Sequence, residues 1–246
     1  VTSGFAMALV VWTTWFITHL PWVGLSGQVQ TLIVLAMWLA AATVMSNGKS
    51  SSGLLASVGG GLTSALLGLL LLGSKLVEPA AENQAGAVKP NAILIAVGFI
   101  ALGGFIGAAG FLASRLLPSP QADRNPDWLA RHGAVTCFIV AMLLFIGGLV
   151  TSTGSGMAVP DWPRTYGANM FLYPLSGAAS DIFLEHSHRL FGTLVGLASI
   201  TLLIWIFAAE KRRWVWLIAG IVLALVIVQG VIGGYRVNEN SRLLAM

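Results

Sequence analysis

Residues 185–208 read Glu185-His186-Ser187-His188-Arg189-Leu190-Phe191-Gly192-Thr193-Leu194-Val195-Gly196-Leu197-Ala198-Ser199-Ile200-Thr201-Leu202-Leu203-Ile204-Trp205-Ile206-Phe207-Ala208. From His188 onward the stretch is long and apolar enough to cross the hydrocarbon of a bilayer, which takes about 17–25 residues. Backbone N–H and C=O groups find no partners in lipid, so a spanning run of this kind is a helix. At its mouth sit a carboxylate, two imidazoles and a guanidinium. Ionisable groups at a membrane edge are costly to keep there, and they mark a functional site by default.

Six further apolar runs have the same character, which places seven helices near 5–23, 26–46, 53–74, 92–114, 134–152, 188–208 and 213–234. Short alternating segments of the kind that build a membrane barrel are missing. Composition agrees: 57% of residues are hydrophobic, 9% are charged, and the mean hydropathy is +0.85. Soluble domains carry about 25% charged residues. The expected fold class is an all-α integral membrane protein with about seven transmembrane helices. The net charge of +4 then reports loop topology rather than nucleic-acid binding. The single cysteine, Cys137, excludes an intrachain disulfide. No phosphate loop, zinc-ligand spacing, serine triad or nucleic-acid patch occurs.

Positive charge sets the expected orientation. Glu210-Lys211-Arg212-Arg213, together with Arg115, Arg124, Arg131 and Lys49, falls on one side of seven alternating helices, and that side reads as cytoplasmic. Lys75, Lys89, Arg164, Arg236 and Arg242 fall on the other. The loop 153–187 and the Glu185–Arg189 cluster then face outward. The segment 118–133, rich in Pro, Asp and Asn, reads as a cytoplasmic polar linker. It separates a four-helix region, 1–117, from a three-helix region, 134–246. The first region is rich in Gly, Ala, Ser and Leu, residues that let helices approach closely, and its role is unassigned. Its histidine, His19, stands before Leu20-Pro21-Trp22 and reads as a solvated interfacial anchor or as a distant ligand. His132 reads as a solvated residue at the entrance of the fifth helix. In the second region, Ile146-Gly147-Gly148 and Ile232-Gly233-Gly234 close two helices in the same way. Such glycine pairs are common in membrane helices, or they flank something bulky.

On a helix, successive residues lie about 100° apart. Glu185, His188 and Arg189 therefore share a face, His186 points elsewhere, and Gly192 and Gly196 follow His188 on the same stripe. An imidazole above two glycines leaves a groove in which a flat macrocycle can lie, with His188 as an iron ligand. Arg189 is placed to pair with Glu185 or with a propionate. The alternative is a helix start with Glu185 in the first turn and both histidines wet. In the outer loop, Gly154-Ser155-Gly156 reads as a flexible turn and Pro160-Asp161-Trp162-Pro163 as a rigid one. Trp162, Tyr166, Phe171 and Tyr173 make this loop either an interfacial segment or a lid, and Asp161 is placed to orient Arg164.

Three segments, taken together, resemble the haem A synthase family. They are Gly147-Gly148-Leu149-Val150-Thr151, then Thr153-Gly154-Ser155-Gly156-Met157-Ala158-Val159-Pro160-Asp161-Trp162-Pro163, then Glu185-x-x-His188-Arg189. Gln229-Gly230-Val231-Ile232-Gly233-Gly234-Tyr235-Arg236-Val237 resembles that family's third helix, so the likeness covers about 133–246. It implies an oxidoreductase that converts the C8 methyl of haem O to the formyl of haem A for cytochrome oxidase, by two hydroxylations and loss of water. Members are built as two four-helix halves, each placing a haem between two histidines near the outer face. The resemblance implies catalytic roles for Glu185 and His188. It implies cofactor contacts from His188, Arg189 and Gly192, and iron ligation by His188. The implied cofactor is haem b, with haem O as substrate. The implied partners are haem O and its synthase, an electron donor, cytochrome oxidase assembly factors and the lipid bilayer. The implied location is the bacterial plasma membrane first and the mitochondrial inner membrane second.

Departures from the family pattern set further expectations. The second axial histidine of this half belongs beyond Met246, so the chain reads as truncated, with His19 as the distant substitute. The loop 153–184 lacks the cysteine pair of some members. The four N-terminal helices lie outside the pattern. Two other functions stay open: a non-catalytic b-type haem or electron-transfer subunit, and a scaffold or transporter in oxidase assembly.

Overall fold

Helices account for most of the backbone in the computed structural model, which describes residues 1–46, 52–78, 86–117, 127–175 and 178–239. They are α1 (Thr2–Thr18), α2 (Gly27–Met45), α3 (Gly53–Leu72), α4 (Ala92–Ser114), α5 (Trp128–Ser152), α6 (Ser180–Ala209) and α7 (Arg213–Asn238). Six of these, α2 to α7, are long and apolar enough by length and composition to cross a membrane. The first helix, at 17 residues, is shorter. The chain is therefore an all-α protein of the multi-spanning membrane kind. Lys49, Glu82, Arg124, Arg242 and the linker residues 118–126 lie outside the described residues.

Most expected spans coincide with a helix, and the differences are at the ends. The first helix stops at Thr18 rather than 23. Leu20 precedes Pro21, and a residue before proline is steered out of the helical region. The fifth helix starts at Trp128 rather than 134 and the seventh runs on to Asn238. The sixth starts at Ser180, well before 188, with Asp181 in its first turn. An acidic first turn suits the positive end of the helix dipole, and Ile182, Phe183 and Leu184 are buried along the added segment. The Glu185–Arg189 cluster thus lies inside a helix and not at its mouth.

The chain packs as two compact units, Val1–Leu72 with Pro90–Trp128, and Gly73–Lys89 with Leu129–Met246. In the first, α3 packs on α4 and α1, and α2 packs on α1 and α4. Glycine permits the closest of these approaches. A Cβ on Gly61 would run into the Gly103 carbonyl, and one on Gly107 into the Ser57 carbonyl. The buried Trp38 indole donates to Ser64 Oγ at 2.9 Å. His19 stacks on Trp15 and its Nδ1 lies 2.9 Å from the Trp15 carbonyl.

In the second unit α6 and α7 pack together. His132 of α5 corrects the expectation of a wet helix end. It is fully buried, its Nε2 lies 3.3 Å from Thr201 Oγ1, and its ring sits 5.7 Å from that of Trp205 on α6. The helix begins nearly two turns earlier than the hydropathy suggests, which carries position 132 into the packed region. The α3–α4 connection also belongs to this unit. It forms a 3₁₀ turn over Gly73–Leu76 and an antiparallel bridge between Val77 and Val88. Gly73 seats this connection against Phe171 of a second 3₁₀ turn, Met170–Leu172, so closely that a Cβ there would strike the Phe171 carbonyl.

Candidate functional site

Helix α6 carries the site, and the loop between α5 and α6 is built onto it. Two short strands, β1 (Arg164–Thr165) and β2 (Ala168–Asn169), pair antiparallel with Arg164 opposite Asn169 and Thr165 opposite Ala168. Tyr166 and Gly167 turn the hairpin with φ of 49° and 74°. Two successive left-handed residues suit the twist of a two-residue hairpin, and glycine takes the second without steric cost. Tyr166, a bulky residue in that region, is held from outside. The Asp161 carboxylate accepts from Tyr166 N–H at 2.7 Å and from Gly167 N–H at 2.8 Å. Asp161 therefore orients the turn rather than Arg164, which corrects the sequence expectation.

The loop is fastened to α6 by one ion pair. Glu185 is 4% exposed. Its Oε1 accepts from Arg189 Nη2 at 2.6 Å and its Oε2 accepts from Val159 N–H at 2.8 Å. Arg189 reaches the other way. Its Nη1 donates to the Asp161 and Arg164 carbonyls at 2.6 and 3.1 Å, and its Nη2 to the Val159 carbonyl at 3.1 Å. The i, i+4 spacing places the two charges on one helix face. Charge-assisted bonds of this kind are the strong ones, and here they converge on a backbone about 25–30 residues upstream of Arg189. The loop closes on α7 as well: Trp162 N–H donates to Asn238 Oδ1 at 3.0 Å, Asn238 Nδ2 donates back to the Trp162 carbonyl at 3.1 Å, and the Trp162 indole lies flat against Gly234.

The paired histidines are not wet. His186 is 1% exposed. Its Nδ1 lies 3.1 Å from Thr165 Oγ1, and its ring packs at 5.4 Å on Tyr173. His188 differs. It is half-buried, and neither ring nitrogen makes a hydrogen bond among the described residues, whereas His19, His132 and His186 each make one. Its Nε2 faces α5 at Gly147, where a Cβ would stand 3.1 Å away. Gly192 and Gly196, one and two turns along α6, open onto free space, with no atom within 4 Å of a Cβ built there. The two Ile-Gly-Gly ends are used differently: Gly147 makes room for His188, and Gly234 makes room for Trp162.

An unbonded imidazole beside an open glycine stripe suits a single axial bond to a flat metal macrocycle. Among the described residues no cluster of three or more His, Cys, Asp or Glu side chains is placed to hold a bare metal ion. The structure brings Glu185 and Arg189 together and leaves His188 and Gly192 free of them. Sequence reasoning missed Val159, Thr165 and Asn238. They lie 21–76 residues from their partners, and no local spacing announces such bonds.

Residues 127–244 match the family model described as Cytochrome oxidase assembly protein. The chain is 33% identical over 109 residues to a haem A synthase from an Exiguobacterium species, covering 43% of this chain and 35% of that protein. It is 34% identical over 122 residues to the haem A synthase of Shouchella clausii, covering 48% and 39%. The haem A synthase of Granulibacter bethesdensis is 27% identical over 148 residues, covering 50% and 39%. The chain thus spans under two-fifths of the length of these relatives. No solved structure matches it at a significant level. Apolar helices and bacterial relatives together support an integral bacterial membrane protein. Over residues 127–244, and at moderate identity, the chain matches the haem A synthase family.

Proposed function

We propose that the region from Trp128 to Asn238 is the haem-holding part of a haem A synthase-type oxidoreductase, which turns the C8 methyl of haem O into a formyl group for cytochrome oxidase. One observation carries this reading: among four histidines, His188 alone makes no hydrogen bond among the described residues, and the glycines that follow it on α6, Gly192 and Gly196, have open space beside them. His188 supplies the axial imidazole, and Gly192 gives the macrocycle access to the α6 backbone. A haem bound there supplies redox and oxygen chemistry. Glu185 is assigned to proton or charge handling beside the reacting methyl, and Arg189 holds that carboxylate in place. The last three helices then form part of a haem-binding bundle with its site near the outer face. The partners are those of this chemistry: haem O and its synthase, an electron donor and oxidase assembly factors. The second axial ligand lies outside the described residues of this unit.

A non-catalytic b-type subunit is the second reading. It is favoured by the bonding of Glu185, both of whose oxygens are already engaged by Val159 and Arg189. Membranes containing the chain, supplied with haem O, separate the two. In the synthase reading, Glu185→Gln retains bound haem and loses haem A formation. Unchanged haem A formation in that variant refutes the catalytic role of Glu185. Bound haem without haem A formation by the unaltered chain favours the electron-transfer subunit.

A further inference from the structure

Arg236 stands in the last turn of α7, and its guanidinium has no hydrogen-bond or ion-pair partner among the described residues. Its Nε is sealed from solvent without a hydrogen bond, and no hydrogen bond or ion pair forms at either Nη among the described residues. Of the nearby acidic groups, three in the loop and α6 are occupied elsewhere, while Glu239, three residues further along at the end of α7, is exposed and forms no ion pair with Arg236. Glu185 is held by Arg189 and Val159, Asp161 by the hairpin turn, and Asp181 accepts from Ile182 N–H. Arg236 as a whole is half-buried, and a donor closed off from water without a partner is costly.

Its surroundings show which way it faces. A Cβ on Gly156 would stand 3.5 Å from Arg236 Nη2 and 3.5 Å from Val150 Cγ1, so the guanidinium lies beside the outer end of α5. Gly147, which faces His188 Nε2, is three residues before Val150. Residues three apart share a helix face and differ in height by about 4.5 Å. Arg236 and His188 therefore border the same side of α5, with Arg236 roughly one turn further along the chain.

We infer that Arg236 is the carboxylate-binding residue of the His188 site, pairing with an acidic side arm of the macrocycle through its planar fork. This rests on the reading of His188 as the iron ligand. It adds an orientation: a macrocycle held at His188 would turn its carboxylate toward Gly156. A guanidinium matches a carboxylate in two parallel bonds, and lysine at the same place offers only a point charge.

The test uses metal-free protoporphyrin IX and its dimethyl ester, which need no iron ligand. Each is titrated into the purified chain in detergent, with binding read by quenching of its tryptophans. Wild type should prefer the diacid by about 10- to 100-fold, the worth of a charge-assisted bond. Arg236→Met should bind the ester as before and lose the preference, and Arg236→Lys should keep part of it. Equal wild-type affinity for both porphyrins, binding of neither, or equal weakening of both by Arg236→Met overturns the assignment. Ferric haem spectra of His188→Ala test the ligand separately. If those are unchanged while Arg236→Met abolishes the diacid preference, the ligand reading fails and the carboxylate site stands.

Discussion

Replacing Arg189 with Met tests whether one side chain holds the α5–α6 loop on α6. The guanidinium donates to the carbonyls of Val159, Asp161 and Arg164 and to the Glu185 carboxylate. Methionine keeps the aliphatic stem and removes all of these bonds. It also leaves Glu185, 4% exposed, with Val159 N–H as its remaining partner. Breaking a buried pair by removing one member costs about 3–5 kcal/mol. Opening of the loop relieves that cost by admitting water to the carboxylate. At about 1.4 kcal/mol per tenfold, the open population should rise roughly 10²- to 10³-fold. The reporter is Arg164, exposed in β1 with its carbonyl bound by Arg189. Trypsin cleaves after it only when the loop is open, and cleavage tracks the open population when reclosing is fast. Mass spectrometry of limited digests should show cut at Arg164 faster by that factor in Arg189→Met. A rate within about threefold of wild type would mean that the loop is held by its other contacts and that the ion pair is not its anchor.

Two further outcomes follow from the same geometry. Gly147→Ala sets a methyl group 3.1 Å from His188 Nε2; overpacking of this kind typically costs about 1–3 kcal/mol, and a haem titration should show affinity reduced by a corresponding 5- to 150-fold. At the turn between α6 and α7, Arg212 bonds Glu210 through side chain and backbone and holds its carboxyl down to about 2, below the usual 4.5. A lowered folded value stabilises above the unfolded one and is lost as pH falls through the folded one, so a carbon-detected titration of Glu210 should stay flat from pH 7 to 4 and turn near 2, whereas a midpoint near 4.5 would show the pair to be absent.

The helices were legible because lipid leaves a chain few options: an apolar run of spanning length is a helix. Their ends were less so. Ser180 to Ser187 contains Asp181, Glu185 and His186, which hydropathy reads as loop, yet Asp181 is accommodated by the neighbouring Ile182 N–H, and Glu185 and His186 by Val159 and Thr165 of the distant α5–α6 loop. The i, i+4 facing of Glu185 and Arg189 followed from helical pitch, and so did the separation of His186 from His188. What Arg189 grips did not follow, because backbone carbonyls carry no sequence signature. The same holds for Asp161, whose two bonds go to N–H groups of a turn created by Tyr166 at positive φ, a position where a bulky residue is rare. The burial of His132 depended on a helix start directly after Asp127, a residue type that favours helix starts, where the hydropathy is still low.

The central claim is that His188 binds haem iron. Its most direct test is the oxidised and dithionite-reduced absorption spectrum of the chain purified in detergent and titrated with haem, beside His188→Ala. Sharp reduced bands with haem in the unaltered chain, lost in His188→Ala and restored by added imidazole, are what the account predicts. An identical haem spectrum in both proteins would contradict it.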